Sequence, residues 1–224
     1  MRNRIPFFAV LTLMAGAWSQ SASAQQTIFN HPSADLLSKG AVYVELDATL
    51  RYQFGFEGLV PRVVWAPIER LEIGLNVGPL IDQAFENDPS LAPNAKIRLF
   101  SAAGTAGEIS LLLGTRIYVP VKFDALNFEL YSFVAVQTRF GLRATAGAYG
   151  EFPTNGVGKL RPIAMLEFVL TKFLTFGAEW WMERDLGLGF VIALPAGFTL
   201  YPAYLLSPAA RERDGFIFEI GKLF

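Results

Sequence analysis

From Val42 to Phe54 every second residue is apolar or aromatic: Val42, Val44, Leu46, Ala48, Leu50, Tyr52 and Phe54. Between them stand Tyr43, Glu45, Asp47, Thr49, Arg51 and Gln53. A period of two belongs to an extended strand, whose successive side chains point to opposite faces. One face of this strand suits hydrocarbon or a protein core, and the other suits polar surroundings. The same alternation recurs along the chain. Twelve segments read as strands: 41–54, 59–66, 71–78, 94–100, 108–119, 127–139, 142–152, 161–170, 174–183, 188–194, 198–206 and 216–224.

Composition decides which solvent the apolar face meets. Hydrophobic residues make up 52% of the chain and charged residues only 17%. Past residue 24 this apolar character never gathers into a block long enough for a membrane helix, which needs ~20 residues. Apolar content delivered as alternation is the signature of a transmembrane β-barrel. The expected fold is therefore all-β, an antiparallel up-and-down transmembrane barrel of about 12 strands. An even count is what single-chain bacterial barrels require. Loop lengths agree, because tight turns such as "PIER", "TKF" and "PAG" alternate with longer connections such as 80–93 and 207–215. Barrels of the outer membrane have short periplasmic turns and longer external loops.

The chain opens "MRNRIPFFAVLTLMAGAWSQSASA", with Arg2 and Arg4 before an apolar run from Ile5 to Ala17 and then Ala22-Ser23-Ala24. This order is that of a secretory signal peptide, with cleavage expected before Gln25. Three regions follow: 1–24 as signal peptide, 25–40 as a short periplasmic N-terminal segment or lumen plug, and 41–224 as the barrel. Without Arg2 and Arg4 the formal charge of −1 becomes −3, which offers no basic surface to nucleic acid. The absence of cysteine excludes disulfides and thiolate zinc sites. The single histidine, His31, precedes the first strand, so the barrel wall carries no histidine base. The expectation is a non-enzyme with neither cofactor nor metal. Asp82, Glu86 and Asp88 match no calcium-loop spacing and read as a solvated loop.

Charge parity sets the orientation. Within each of eight strands, the first and the third to the ninth, the charges share one parity. Glu45, Asp47, Arg51, Arg62, Glu72, Lys96 and Arg98 are expected to line the lumen, and so are Glu108, Arg116, Glu129, Arg139, Arg143, Glu167 and Glu179. Glu151, Arg161 and Glu183 follow the same rule. The opposite parity is free of charge apart from Lys222, close enough to the end to snorkel to the interface. A cation at the bilayer midplane costs ~2–4 kcal/mol, which explains the charge-free face. A soluble lipocalin-like barrel would alternate too, with its apolar face inward. Against it stand the aromatics at strand ends, Tyr52, Phe54, Trp65, Phe128, Phe140, Phe152, Phe173 and Trp180, at the heights of interfacial belts. Two uses of the inward charges remain open. They could select solutes in a polar pore, or pair across strands and fill the lumen. Twelve strands enclose less than a porin and more than an eight-stranded barrel, so a narrow or plugged interior is expected.

The stretches "HPSADLLSKGAVYVELD" (31–47) and "WAPIERLEIGL" (65–75) resemble the opening of a bacterial outer-membrane family labelled transporter, or meta-pathway of phenol degradation. That resemblance implies a passive outer-membrane channel or transporter for small solutes, hydrophobic ones included, in a Gram-negative cell. The end of the chain, with Phe216, Phe218, Ile220 and Phe224 on one parity, resembles the terminal signal of outer-membrane barrels. It implies a barrel assembly machinery as partner, although Lys222 stands where an aromatic is usual. The alternative is a structural or adhesive barrel with a closed lumen, whose loops bind a partner or lipopolysaccharide. Outer-membrane lipid surrounds the protein in both readings.

Overall fold

The computed structural model describes residues 27–28, 31–52, 55–78, 90–122, 126–181, 186–207 and 214–224. The expected signal peptide, Phe54, Asp82, Glu86, Asp88 and Glu183 lie outside these residues. A two-stranded ladder of β1 (Thr27–Ile28) and β2 (His31–Pro32) precedes the main body. Twelve strands follow: β3 (Val42–Arg51), β4 (Gly55–Ile68), β5 (Leu71–Gly78), β6 (Ser90–Ala103), β7 (Gly107–Pro120) and β8 (Asn127–Thr138), then β9 (Leu142–Pro153), β10 (Lys159–Thr171), β11 (Leu174–Trp181), β12 (Leu186–Ala193), β13 (Phe198–Leu206) and β14 (Gly215–Leu223). Each pairs antiparallel with its neighbours in sequence, and β14 pairs with β3, closing the barrel. That seam runs from Gly215↔Arg51 to Leu223↔Tyr43. Phe224 N–H extends it by donating to Val42 O at 2.9 Å. Closure leaves no free edge among the twelve described barrel strands, a condition hydrocarbon imposes on any β structure that spans it.

The tight turns gather at the rim that holds the start of β3: 69–70, 104–106, 139–141, 172–173 and 194–197. The last contains a 3₁₀ turn, Pro195–Gly197, with Ala196 and Gly197 at φ 60° and 77°. The longer connections, 79–89 and 207–214 among them, join strands at the opposite rim.

Strand β6 departs from the sequence reading in two places. β6 begins at Ser90, where a loop to residue 93 is expected, because β5 supplies partners as far as Ser90↔Gly78. Pairing with a preformed neighbour outweighs the low strand propensity of Pro93. Leu99 is also skipped between the Arg98↔Leu112 and Phe100↔Leu111 pairs, as in a β-bulge. Leu99 and Phe100 are consequently both exposed.

Exposure separates the two parities. Val44, Leu46 and Leu50 are exposed on β3, Leu130, Val134 and Val136 on β8, and Phe216, Phe218 and Ile220 on β14. Their sequence neighbours Glu45, Asp47, Glu129 and Glu219 are buried. In a closed barrel the exposed set is the outer wall and the buried set faces the axis. Aromatics ring both rims of this outer wall. Trp65, Phe173, Phe198 and Phe224 are exposed at the tight-turn rim, and Tyr52, Phe128, Phe152 and Trp180 at the other. Lys222 rests its ammonium 4.2 Å from the Phe198 ring centroid and 5.3 Å from that of Phe224. A cation held over rings at a rim is tolerable where one at mid-height is not.

This arrangement gives a first expected result. Val134→Arg, near the middle of β8 on the outer wall, should destabilise the barrel in lipid bilayers by ~2–4 kcal/mol. Phe128→Arg, at the rim end of the same face, should cost only ~0–1 kcal/mol. Urea titration of reversible folding into vesicles measures both. Equal costs at the two heights would mean that this wall does not meet a hydrocarbon slab.

Candidate functional site: the ion-paired interior

The inner wall is polar because its strands alternate, and its charges are paired because the register places opposite signs side by side. Glu45 faces Arg62, Glu72 faces Lys96, Arg116 faces Glu129, and Arg143 faces Glu167 as direct cross-strand partners. Arg62 Nη1 lies 2.9 Å from Glu45 Oε1, and its Nη2 also contacts Asp47 Oδ2. Lys96 Nζ lies 3.0 Å from Glu72 Oε2, and Arg116 Nε lies 3.6 Å from Glu129 Oε2. Arg143 contacts Glu167 through Nε, and Nη2 lies 2.5 Å from Oε1. Arg161 reaches diagonally to Glu151 at 2.6 Å. Cross-strand opposite charges contribute little at a wet surface but hold the register firmly when buried, since removing one partner strands the other.

The residues expected on the lumen fall into three groups. Glu45, Asp47, Glu72, Lys96, Arg116, Glu129, Glu167 and Glu179 are buried. Arg51, Arg62, Arg98, Glu108 and Arg143 are partly buried on the same inner face. Arg139 is the correction. β8 ends at Thr138, and Arg139 lies exposed in the turn to β9. Thr138 Oγ1 turns the chain there, donating to Leu142 O at 3.1 Å and accepting from Leu142 N–H at 3.2 Å. Gly141 supplies the positive φ of 80° that the turn requires.

Charge is only part of the interior. Tyr131, Phe133, Tyr149, Ile163 and Trp181 form a buried apolar cluster on the β8–β11 side. Tyr131 stacks on Phe133 with centroids 5.1 Å apart, and Tyr149 meets Trp181 edge-on at 5.0 Å. Tyr131 lies over Gly114 of the neighbouring strand, where a Cβ would collide with its ring. On the opposite wall Tyr43 lies in the same way over Gly221, donates to Glu45 Oε2 at 3.1 Å and meets the Tyr201 hydroxyl at 3.3 Å.

The interior also holds a stretch of main chain. Ser33, Ala34 and Leu37 are buried, and their contacts come from inward side chains of several strands. Lys96 Nζ donates to Ser33 O at 3.1 Å and to Asp35 O at 2.5 Å. Leu37 N–H donates to Glu72 Oε1, and the Asp35 carboxylate pairs with Arg143 Nη1. Ala34 packs with Leu112 and Ala135, and Leu37 with Tyr43, Val64 and Ala66. A polar cavity of about 50 Å³ remains beside this segment, bordered by Asp35, Arg98, Glu108 and Arg143. That is room for a few waters.

Glu219, Asp35 and the inward tyrosines are missing from the expected lumen lining. Glu219 on β14 is 0% exposed and faces inward, opposite Asp47 in register. Its parity, opposite to that of Phe216, Phe218 and Ile220, already assigned it to the inner wall. Asp35 belongs to no strand, and no periodicity announces it. The inward tyrosines were invisible because an aromatic is at home on either face of a barrel.

No protein-family model and no curated protein matches this chain. Among solved structures, it is similar to a KdgM porin in complex with disordered oligogalacturonate, with a TM-score of 0.53 at 10% identity over 82% of this chain and 98% of that one. It also aligns with the translocator domain of the autotransporter NalP from Neisseria meningitidis, with a TM-score of 0.45 at 12% identity over 97% and 96% of the two chains. The likeness to the porin structure is one of fold: a closed antiparallel barrel.

Proposed function

We propose that this protein is an outer-membrane channel for small solutes, hydrophobic ones included, with a constricted lumen that its own N-terminal segment plugs. The observation that carries this reading is main chain lying inside the barrel at Ser33–Leu37. An interior that admits a peptide is wide enough to pass a small molecule once the peptide moves. Among the described residues, side-chain hydrogen bonds, the Asp35–Arg143 ion pair and apolar contacts hold the segment, and no strand pairs with it. Such contacts can be released without unfolding the wall. The apolar outer wall between two aromatic belts supports placement in a bilayer, and the expected signal peptide supports export.

Paired charges and the aromatic cluster favour a second reading, a closed structural barrel whose outer loops bind lipopolysaccharide or a partner. Reconstitution of the full chain into planar bilayers and solute-loaded vesicles separates the two. The channel reading expects small, intermittent conductance and measurable uptake of small solutes. Silence in both assays, persisting after the N-terminal segment is removed, would leave the structural reading.

A further inference from the structure

We infer that Glu45, Asp47 and Glu219 form a cation site inside the barrel, suited to Ca²⁺. Closure of the barrel creates it. Asp47 and Glu219 are register partners across the β3–β14 seam, and Glu45 is the next inward residue on β3. One oxygen from each carboxylate lies within 4.8 Å of the others. A Ca²⁺ ion spans such a group with Ca–O bonds of about 2.3–2.6 Å.

The second observation is how little the protein does for Glu219. Its side chain is 0% exposed, yet neither carboxylate oxygen accepts a hydrogen bond from any described residue. Asp47 Oδ1 is buried and likewise accepts none. Arg62 engages Glu45 Oε1 and Asp47 Oδ2, and the Tyr43 hydroxyl donates to Glu45 Oε2, so the uncommitted oxygens are Asp47 Oδ1 and the two of Glu219, and Glu45 completes the set by sharing an oxygen through its second lone pair. Three buried carboxylates repel one another, and burying each ion costs several kcal/mol unless it is compensated. A divalent cation on the uncommitted oxygens supplies that compensation. The donors are all hard carboxylate oxygens, which exclude a thiophilic metal. Ca²⁺ accepts irregular sets of 6–8 oxygens, with water completing the shell, whereas Mg²⁺ demands a near-ideal octahedron. The inference goes beyond the channel reading and does not depend on whether the lumen conducts.

Terbium luminescence tests it, because Tb³⁺ replaces Ca²⁺ in oxygen sites and Tyr43 and Tyr201, beside Glu45, are antennae within range. The full chain in detergent, stripped with chelator, is titrated with Tb³⁺ under tyrosine excitation. The expected result is sensitised emission that saturates at one ion per barrel and is displaced by Ca²⁺ at lower concentration than by Mg²⁺. Glu219→Gln should weaken binding at least about tenfold, the loss of one charged ligand, while the barrel keeps its heat-modifiable mobility on gels. Asp47→Asn serves if the first variant does not fold, and the wild-type titration decides if neither does. No sensitised emission in the wild-type protein, or emission unchanged in a folded Glu219→Gln variant, overturns the site; the latter would place the ion on the loops.

Discussion

Deleting residues 33–38 should turn an almost silent barrel into one that conducts steadily. The segment is held by a small difference between opposing terms. Hydrogen bonds to the charged groups of Lys96 and Glu72, and the Asp35–Arg143 pair, contribute ~1.5–3 kcal/mol each. Burial of Leu37 adds ~1.5–3 kcal/mol. Ordering the backbone opposes this by ~1–2 kcal/mol per residue over the same stretch. The segment should therefore leave occasionally in the intact protein, giving brief openings. Asp35→Ala removes one charged contact without touching the wall. It should raise the open fraction roughly tenfold or more, since 1.4 kcal/mol is a factor of ten. Deletion should abolish closure by this route altogether. Single-channel recording in planar bilayers reads open probability directly, and gel mobility confirms that each variant is folded. A folded deletion variant as silent as the intact protein would show that wall side chains alone seal the lumen.

That pair of variants rests on a feature the strand pattern does not reveal. Period-two alternation places Glu45, Arg62, Glu72, Lys96, Arg116 and Glu129 on one wall because a strand has only two faces and the other face of these strands carries no charge. The same logic orders the strands, since each short connection allows only an antiparallel neighbour. Alternation does not contain the register. Whether Glu72 meets Lys96 or a like charge depends on where each hairpin turns, and a one-residue slip would exchange the faces. Arg139 shows the limit at strand ends, where Thr138 and Gly141 close a turn one residue before the pattern stops. Leu99 shows it within a strand, because a bulge shifts the parity of everything beyond it. The N-terminal segment is the largest gap. Ser33–Leu37 has no periodicity, and its place is set by partners contributed by β5, β6 and β9. Such a placement belongs to the assembled barrel and not to any local stretch of sequence.

Arg62 is where that assembled register should be most costly to disturb. It is the Glu45 partner in the β3–β4 pairing and also reaches Asp47, with Glu219 buried on the next strand. Arg62→Met keeps an unbranched apolar stem in place of the arginine's own and removes its charge. Glu45 and Asp47 then lose their guanidinium while remaining buried, the situation in which one partner of an ion pair is stranded. The expected destabilisation is ~3–5 kcal/mol. Arg62→Met with Asp47→Leu removes a buried anion along with the cation, so the pair of changes should cost less than Arg62→Met alone. Replacing both partners by apolar groups of similar size is often close to neutral. A double-mutant cycle on urea midpoints in vesicles isolates this coupling, because the two residues touch and their effects should not add. Strict additivity would mean that the two residues do not interact in the folded barrel. The same measurement links stability to the inferred cation site. Excess Ca²⁺ should restore part of what Arg62→Met loses, since a ligand that binds only the folded barrel stabilises it in proportion to the logarithm of its concentration. Arg62→Met combined with Glu219→Gln should show little of that rescue, because one charged ligand is gone.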